Sequence, residues 1–244
     1  MCLIVFAWQV VPGAPLVACA NRDEFYDRPT SAAARWPDHP AIYAGRDLKG
    51  GGSWMGVTTP EAGSRFAALT NIRGPHERRL DAPSRGALVS DFLAGSMSAP
   101  DYIAGIIDAG DLYNGFNLVL GDRHALYWYS NRAGGDPRNG QPLAPGIYGV
   151  SNGLLDAPWP KVVRTKAEFA SLLCQGAPED AYFEMLADTT RAPDMRLPDT
   201  GIEIGLERTL SAVCIESPGY GTRTSTVVKV FDDAPAQLHE KLLQ

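Results

Sequence analysis

The chain has 244 residues, 45% of them hydrophobic and 20% charged, ordinary proportions for a globular protein that buries a sizeable core. A formal net charge of −6 argues against nucleic acid or an anionic membrane as the main partner. Four cysteines with no CxxC pair make no disulfide framework and fit a reducing, cytoplasmic compartment, and no apolar run approaches the roughly 20 residues of a membrane-spanning helix.

Residues 2–8 and 15–20 read as two strands joined by the turn VVPGA, since apolar runs bounded by Pro-Gly suit a hairpin. The second strand runs into NRDEFYDRP, where apolar residues give way to charge. GRDLKGGGSW reads as a glycine-rich loop, followed by strands in WMGVTT and RFAALTN. Residues 84–95, with Ser84 as N-cap and apolar Leu88, Val89, Phe92 and Leu93, read as an amphipathic helix, and 98–109 as a second. Strands follow at 116–120 and 125–129, then a Pro/Gly-rich turn at 134–146. Helices are expected at 160–174 and 178–188, a loop at 192–201, and two closing strands in SAVCIE and TSTVVKVF. Blocks of strands and helices in this order predict antiparallel sheets with helices outside them, an α+β fold. No repeat, low-complexity tract or linker interrupts the chain, so a single domain over 1–244 is expected.

Several familiar chemistries fail. GRDLKGGGS lacks the order of a phosphate-binding P-loop, and its glycines better suit a tight turn beside another element. His39, His76, His124 and His239 are scattered, without metal-ligand spacing. Gly149-Val150-Ser151-Asn152-Gly153 has the form G-x-S-x-G, but a nucleophile elbow leads into a helix, and Pro158 and Pro160 fall where the second turn belongs. Arg65, Arg73, Arg78, Arg79 and Arg85 form a basic segment suited either to an anionic ligand group or to a solvated loop.

Three readings are open at Cys2: a core residue, part of an export signal, or a nucleophile exposed by removal of Met1. The export reading lacks a charged n-region, because no Lys or Arg precedes Arg22. An N-terminal cysteine carries thiol and amine together, and an α-amine of pKa about 7.7–8.0 can serve as general base near neutrality. Hairpin pairing gathers Asn21, Arg22, Asp23 and Glu24 beside the start of the first strand. A carboxylate there can orient the amine and a guanidinium can stabilise a thiolate; a turn capped by its own salt bridges is the plainer alternative.

Taken together, MCLIVF, NRDEFYDRP, GGSWMGV, AALTN, YNGFNLVLGD, YGVSNGLLDAPWPK and PGYGTRTSTV resemble the NRDE family, which includes the transport and Golgi organisation protein 2 homologues. That family is similar in turn to Ntn hydrolases with an N-terminal cysteine. The resemblance implies a four-layer αββα sandwich of two mainly antiparallel sheets. It also implies a cysteine amidohydrolase or acyltransferase acting on a small amide or acyl substrate, with no required cofactor. By this likeness Cys2 is the nucleophile and Asp23 bonds its amine. Asn71 and Asn152 form or support the oxyanion hole, Arg223 lies near the nucleophile, and Asn21 and Arg22 serve binding. The chain departs from those hydrolases at Ala20, where they carry an arginine; Arg22 points to the opposite face from its strand neighbours. The resemblance equally admits a non-catalytic protein that binds and traffics haem, acyl-CoA or lipid in the same pocket. Nothing in the sequence sets the oligomeric state.

Overall fold

A computed structural model describes residues 3–59, 63–75 and 79–243; the reading at Cys2 falls outside them. The chain opens with β1 (Leu3–Val11) and β2 (Ala14–Phe25), turned at Pro12-Gly13, where Gly13 takes a φ of +74° that suits a residue without Cβ. They pair antiparallel, with Leu3 opposite Asn21 and Trp8 opposite Leu16. On one side β1 pairs with β9 (Gly146–Val150); on the other β2 pairs with β11 (Tyr220–Val230), which also takes β10 (Glu216–Ser217) and β12 (Gln237–Leu242). The β1–β2 hairpin is therefore the centre of this first sheet, with neighbours recruited from the later half of the chain.

The second sheet runs in simple chain order: β3 (Thr30–Arg35), β4 (Ile42–Asp47), β5 (Met55–Thr58), β6 (Phe66–Asn71), β7 (Phe116–Gly121) and β8 (Leu126–Ser130). Every pair in both sheets is antiparallel. Between β6 and β7 come α1 (Gly86–Ala94) and α2 (Ala99–Ile107), and between β9 and β10 come α3 (Pro160–Gln175), α4 (Glu179–Leu186) and α5 (Ile204–Thr209).

Side-chain alternation assigns the layers. Ile4, Phe6 and Trp8 pack with Ala18, Ala20, Trp54, Phe66, Ala68, Val119 and Trp128 between the sheets. Leu3, Val5, Ala7 and Cys19 face the other way, onto Val162, Phe169, Phe183 and Leu186 of α3 and α4. In the second sheet Ala67, Leu69, Leu118 and Leu120 pack under Leu88, Phe92 and Ile103 of α1 and α2. The result is helix, sheet, sheet, helix: the expected αββα sandwich. Because β1 is covered on both faces, its sequence is a continuous apolar run rather than an alternating one, and full burial of a side chain such as Phe6 stabilises by about 1.5–3 kcal/mol. No helix among the described residues is long and apolar enough to cross a membrane.

Some expectations are corrected. SAVCIE is not a strand: Ala212, Val213, Cys214 and Ile215 are buried in an irregular stretch whose backbone bonds run to Asp188, Asn21 and Thr222, and only Glu216–Ser217 joins the ladder. The first helix begins at Gly86 with Arg85, not Ser84, as N-cap. The polar strands β3 and β12 lie at sheet edges, where half-exposed residues carry no apolar signal.

The glycine-rich loop answers to the backbone of α1. A Cβ on Gly52 would stand 2.2 Å from the Gly86 carbonyl carbon, whereas one on Gly105, inside α2, meets nothing within 4 Å. We therefore expect Gly52→Ala to destabilise by about 1–3 kcal/mol and Gly105→Ala to stabilise by about 0.5–1 kcal/mol in denaturant unfolding. Equal effects of the two substitutions would contradict this packing.

Candidate functional site

The NRDE tetrad occupies the end of β2, from Asn21, level with Leu3 at the start of β1, to Glu24 beyond it, and alternation sends its members apart. Asn21 is fully buried. Its Nδ2 donates to the carbonyls of Leu186 (2.8 Å) and Val213 (2.9 Å), and its Oδ1 accepts from Ser225 Oγ (2.7 Å). Every polar atom of the side chain is used internally, so Asn21 ties β2 to the helical layer and does not line a cleft.

Arg22 points to the other face. It is 3% exposed, its guanidinium lies over the Trp54 ring at 4.3 Å from the centroid, and Glu24 Oε2 is 4.0 Å from its Nη2. Its Nη1 is buried with no hydrogen-bond partner among the described residues. Burial lowers its pKa from the ordinary arginine value, opposed by the charges of Glu24 and Asp47; a guanidinium stays charged regardless. Ala20, at the position where the hydrolases carry an arginine, is packed in the core between the sheets.

Asp23 returns to the Asn21 face, 3% exposed. Thr222, opposite it on β11, donates from Oγ1 to Asp23 Oδ1 at 2.6 Å while accepting from the Ile215 N–H at 2.7 Å. The second carboxylate oxygen, Oδ2, is buried with no hydrogen-bond partner among the described residues. Such a group is costly to leave unmatched. Glu24 folds back to its own neighbour, accepting from Phe25 N–H at 2.9 Å.

The two asparagines meet across the sheets. Asn71 ends β6 and Asn152 follows β9; Asn152 Nδ2 donates to the Asn71 carbonyl at 2.8 Å. Arg73 donates from its backbone N–H to the Asn152 carbonyl (2.8 Å) and from Nη2 to Asn152 Oδ1 (3.2 Å). Ser151 is buried in the turn after β9, and the next helix starts only at Pro160, which excludes a nucleophile elbow. Arg223 stands apart from these contacts. It sits at the irregularity between Thr222 and Thr224 of β11, and its Nη1 donates to the carbonyls of Phe25 and Arg28 and to Thr30 Oγ1, closing the β2–β3 turn.

A cleft of about 650 Å³ opens where these elements converge. Buried Arg22 and Trp54 line it with Asn71, Lys49, Arg79 and Arg85 and with the carboxylates of Glu24 and Asp47. Arg28, also in the lining, is held by Asp47 through Nε (2.9 Å) and Nη2 (2.7 Å). The basic segment read from sequence is thus divided: Arg65 caps the end of α1 through the carbonyls of Gly95 and Met97, Arg73 turns to Asn152, and Arg78 lies outside the described residues. Trp54, Thr222 and Glu207, a partner of Arg73, were not singled out from the sequence. Thr222 lies in the recognised GTRT segment, but Glu207 carries no local signal at all.

With this geometry in place, the description Transport and Golgi organisation 2 matches residues 1–244 of the chain. The chain is similar to a Transport and Golgi organization protein 2 homolog of Bos taurus, 37% identical over 262 residues that take in 99% of this chain and 92% of the relative. A homolog of Homo sapiens is 36% identical over 264 residues, with the same coverages of 99% and 92%. Transport and Golgi organization protein 2 of Drosophila melanogaster is 29% identical over 269 residues, 98% of this chain and 90% of the relative.

The other three thiols are separable by reactivity. Burial drives the Cys19 pKa far above the ordinary thiol value, with Lys229 opposing and Glu179 adding, and burial raises that of Cys214 despite a hydrogen bond with Thr222. Cys174 is exposed. In a Cys2→Ala background, iodoacetamide at pH 8 is expected to label Cys174 first and Cys19 only as fast as the protein unfolds. Labelling of Cys19 at the rate of Cys174 would contradict the assignment of its strand to the core.

Proposed function

The chain belongs to the Transport and Golgi organisation 2 family, and we propose that it is an acyl-transfer enzyme, a cysteine amidohydrolase or acyltransferase working through Cys2 after loss of Met1. The observation that supports this most is Asp23 Oδ2, a buried carboxylate oxygen without a donor among the described residues, on a carboxylate whose other oxygen is already fixed by Thr222. It lies two residues along β2 from Asn21, the partner of Leu3, and Leu3 is covalently joined to Cys2. An α-ammonium or α-amine is a donor suited to that oxygen.

In this reading the α-amine takes the thiol proton and the thiolate attacks the amide carbonyl carbon. The C=O electron pair moves onto oxygen, where the side-chain amides of Asn71 and Asn152 stabilise it; donors so placed are worth about 10²–10³ in kcat. Collapse breaks the C–N bond, the ammonium returns its proton to the leaving amine, and a thioester remains on Cys2. Water or another acceptor then takes the acyl group by the reverse sequence, with the amine again as base. Arg22, over Trp54 in the lining of the cleft, receives the anionic part of the substrate.

A second reading rests on that same guanidinium. Its Nη1, without a partner among the described residues, and the basic side chains of Lys49, Arg79 and Arg85 in the lining of the cleft suit capture of an anionic ligand such as haem or acyl-CoA, with no chemistry.

Intact mass spectrometry tests both. Incubation with acyl 4-nitroanilides is expected to add one acyl mass to a chain lacking Met1. Cys2→Ala should abolish the adduct, and Asp23→Asn should slow it by on the order of 10²-fold. Absence of the adduct in wild type, with haemin or acyl-CoA binding that Arg22→Met abolishes and Cys2→Ala leaves intact, would replace the enzyme with the carrier.

A further inference from the structure

We propose that Arg73 and Glu207 act as positioning residues that fix the side-chain amide of Asn152, so that a loop distant in sequence sets the donor at the site. The effect on turnover rests on the acyl-transfer reading; the positioning itself does not.

Glu207 is 2% exposed on α5, a single short helix, and Arg73 lies in the loop after β6. Their side chains form an ion pair with Arg73 Nη1 2.5 Å from Glu207 Oε2, at side-chain exposures of 9% and 2%. The other carboxylate oxygen accepts from Thr200 Oγ1, and the Arg73 guanidinium stacks over Trp159 at 4.7 Å. A buried pair of this kind carries a large desolvation cost and is poor support for stability alone, so its geometry invites another role.

That role is legible in the polarity of the contacts. A side-chain amide has two nearly isosteric orientations related by a half-turn, which exchange donor and acceptor. Arg73 Nη2 is only a donor, and it faces Asn152 Oδ1 at 3.2 Å. The Asn71 carbonyl is only an acceptor, and it faces Asn152 Nδ2 at 2.8 Å. Turning the amide over would set donor against donor and acceptor against acceptor in a place only 6% exposed. The orientation is therefore chemically fixed, with one Nδ2 proton committed to Asn71 and the second left to donate elsewhere. Glu207 holds the guanidinium that imposes this choice, and Thr200 holds Glu207.

The segment carrying Glu207 is itself anchored. Arg208 pairs with Asp194 at 2.6 Å, and Gly201 lies so close to Pro75 that a Cβ there would stand 3.3 Å from the proline ring. Residues 194–209 are thus docked on the loop that carries Arg73, and the pair couples them to Asn152.

The test replaces the pair without leaving either charge buried alone. In Arg73→Met/Glu207→Met, hydrogen exchange of the Asn152 side-chain amide, followed by NMR and assigned by its loss in Asn152→Asp, is expected to quicken by roughly tenfold. With the acyl nitroanilide substrate, kcat should fall by a similar factor while KM stays within about twofold. Glu207→Gln keeps an acceptor for Arg73 and should restore most of both. Wild-type exchange rates in a double variant that unfolds cooperatively would overturn the proposal. Should wild type turn over nothing, the acyl-transfer reading falls and the exchange rates alone decide the positioning. If the double variant does not fold, Arg73→Lys, which loses the forked geometry, serves instead: intermediate exchange supports the proposal and wild-type exchange defeats it.

Discussion

The antiparallel pairing of β1 with β2, with Leu3 set opposite Asn21, is the constraint on which the remainder of the site depends. It lies at the middle of its sheet, covered on one face by the second sheet and on the other by α3 and α4. Because strand side chains alternate with a period of two, a slip by one residue would send Arg22 to the helical face and Asp23 into the inter-sheet core. Burial on both faces makes such a slip expensive, as it would also exchange Ala18 and Ala20 for Val17 and Cys19 in the inter-sheet core. The register that organises the hydrophobic layers thus also sorts the tetrad.

Charge is placed sparingly inside this frame, and three of its arginines each have a device to hold them. Arg22 has the face of Trp54, where a cation gains from the ring's quadrupole. Arg28 has Asp47, whose own carboxyl is pushed up by burial but pulled further down by Arg28 and the backbone N–H groups of Gly50 and Lys49. Arg73 has Glu207. Only two groups in the tetrad keep an unmatched atom, Nη1 of Arg22 and Oδ2 of Asp23, one on each side of β2. A cation and an anion left open side by side at the end of one strand suit a ligand or terminus that brings the complementary groups.

Much of this was legible in the sequence where periodicity or punctuation carried the signal. The apolar hairpin, the helices under Leu88 and Phe92 and under Val162 and Phe169, and the glycine loop against α1 all follow from spacing. The strand ends did not: β2 extends through Arg22 and Asp23 to Phe25 because β11 runs alongside it, a pairing about two hundred residues apart in the chain. SAVCIE reads as a strand since an apolar run looks alike whether laddered or merely buried. For the site, the tetrad and the asparagine contexts were visible through family likeness, whereas Arg73 and Glu207 come together only through the fold. Arg223 was placed with the site by that likeness, but its Nη1 donates to backbone carbonyls of the β2–β3 turn and to Thr30.

The central claim is that Asp23 holds the amine exposed at Cys2. An ammonium beside a carboxylate is favoured over the neutral amine, so its pKa rises above that of the same amine without the charge. Titration of the α-amine in chain lacking Met1, followed by ¹⁵N NMR of selectively labelled cysteine, measures this directly. The account predicts a lower amine pKa in Asp23→Asn than in wild type, with Arg223→Met leaving it nearly unchanged. The same pKa in wild type and Asp23→Asn would contradict it.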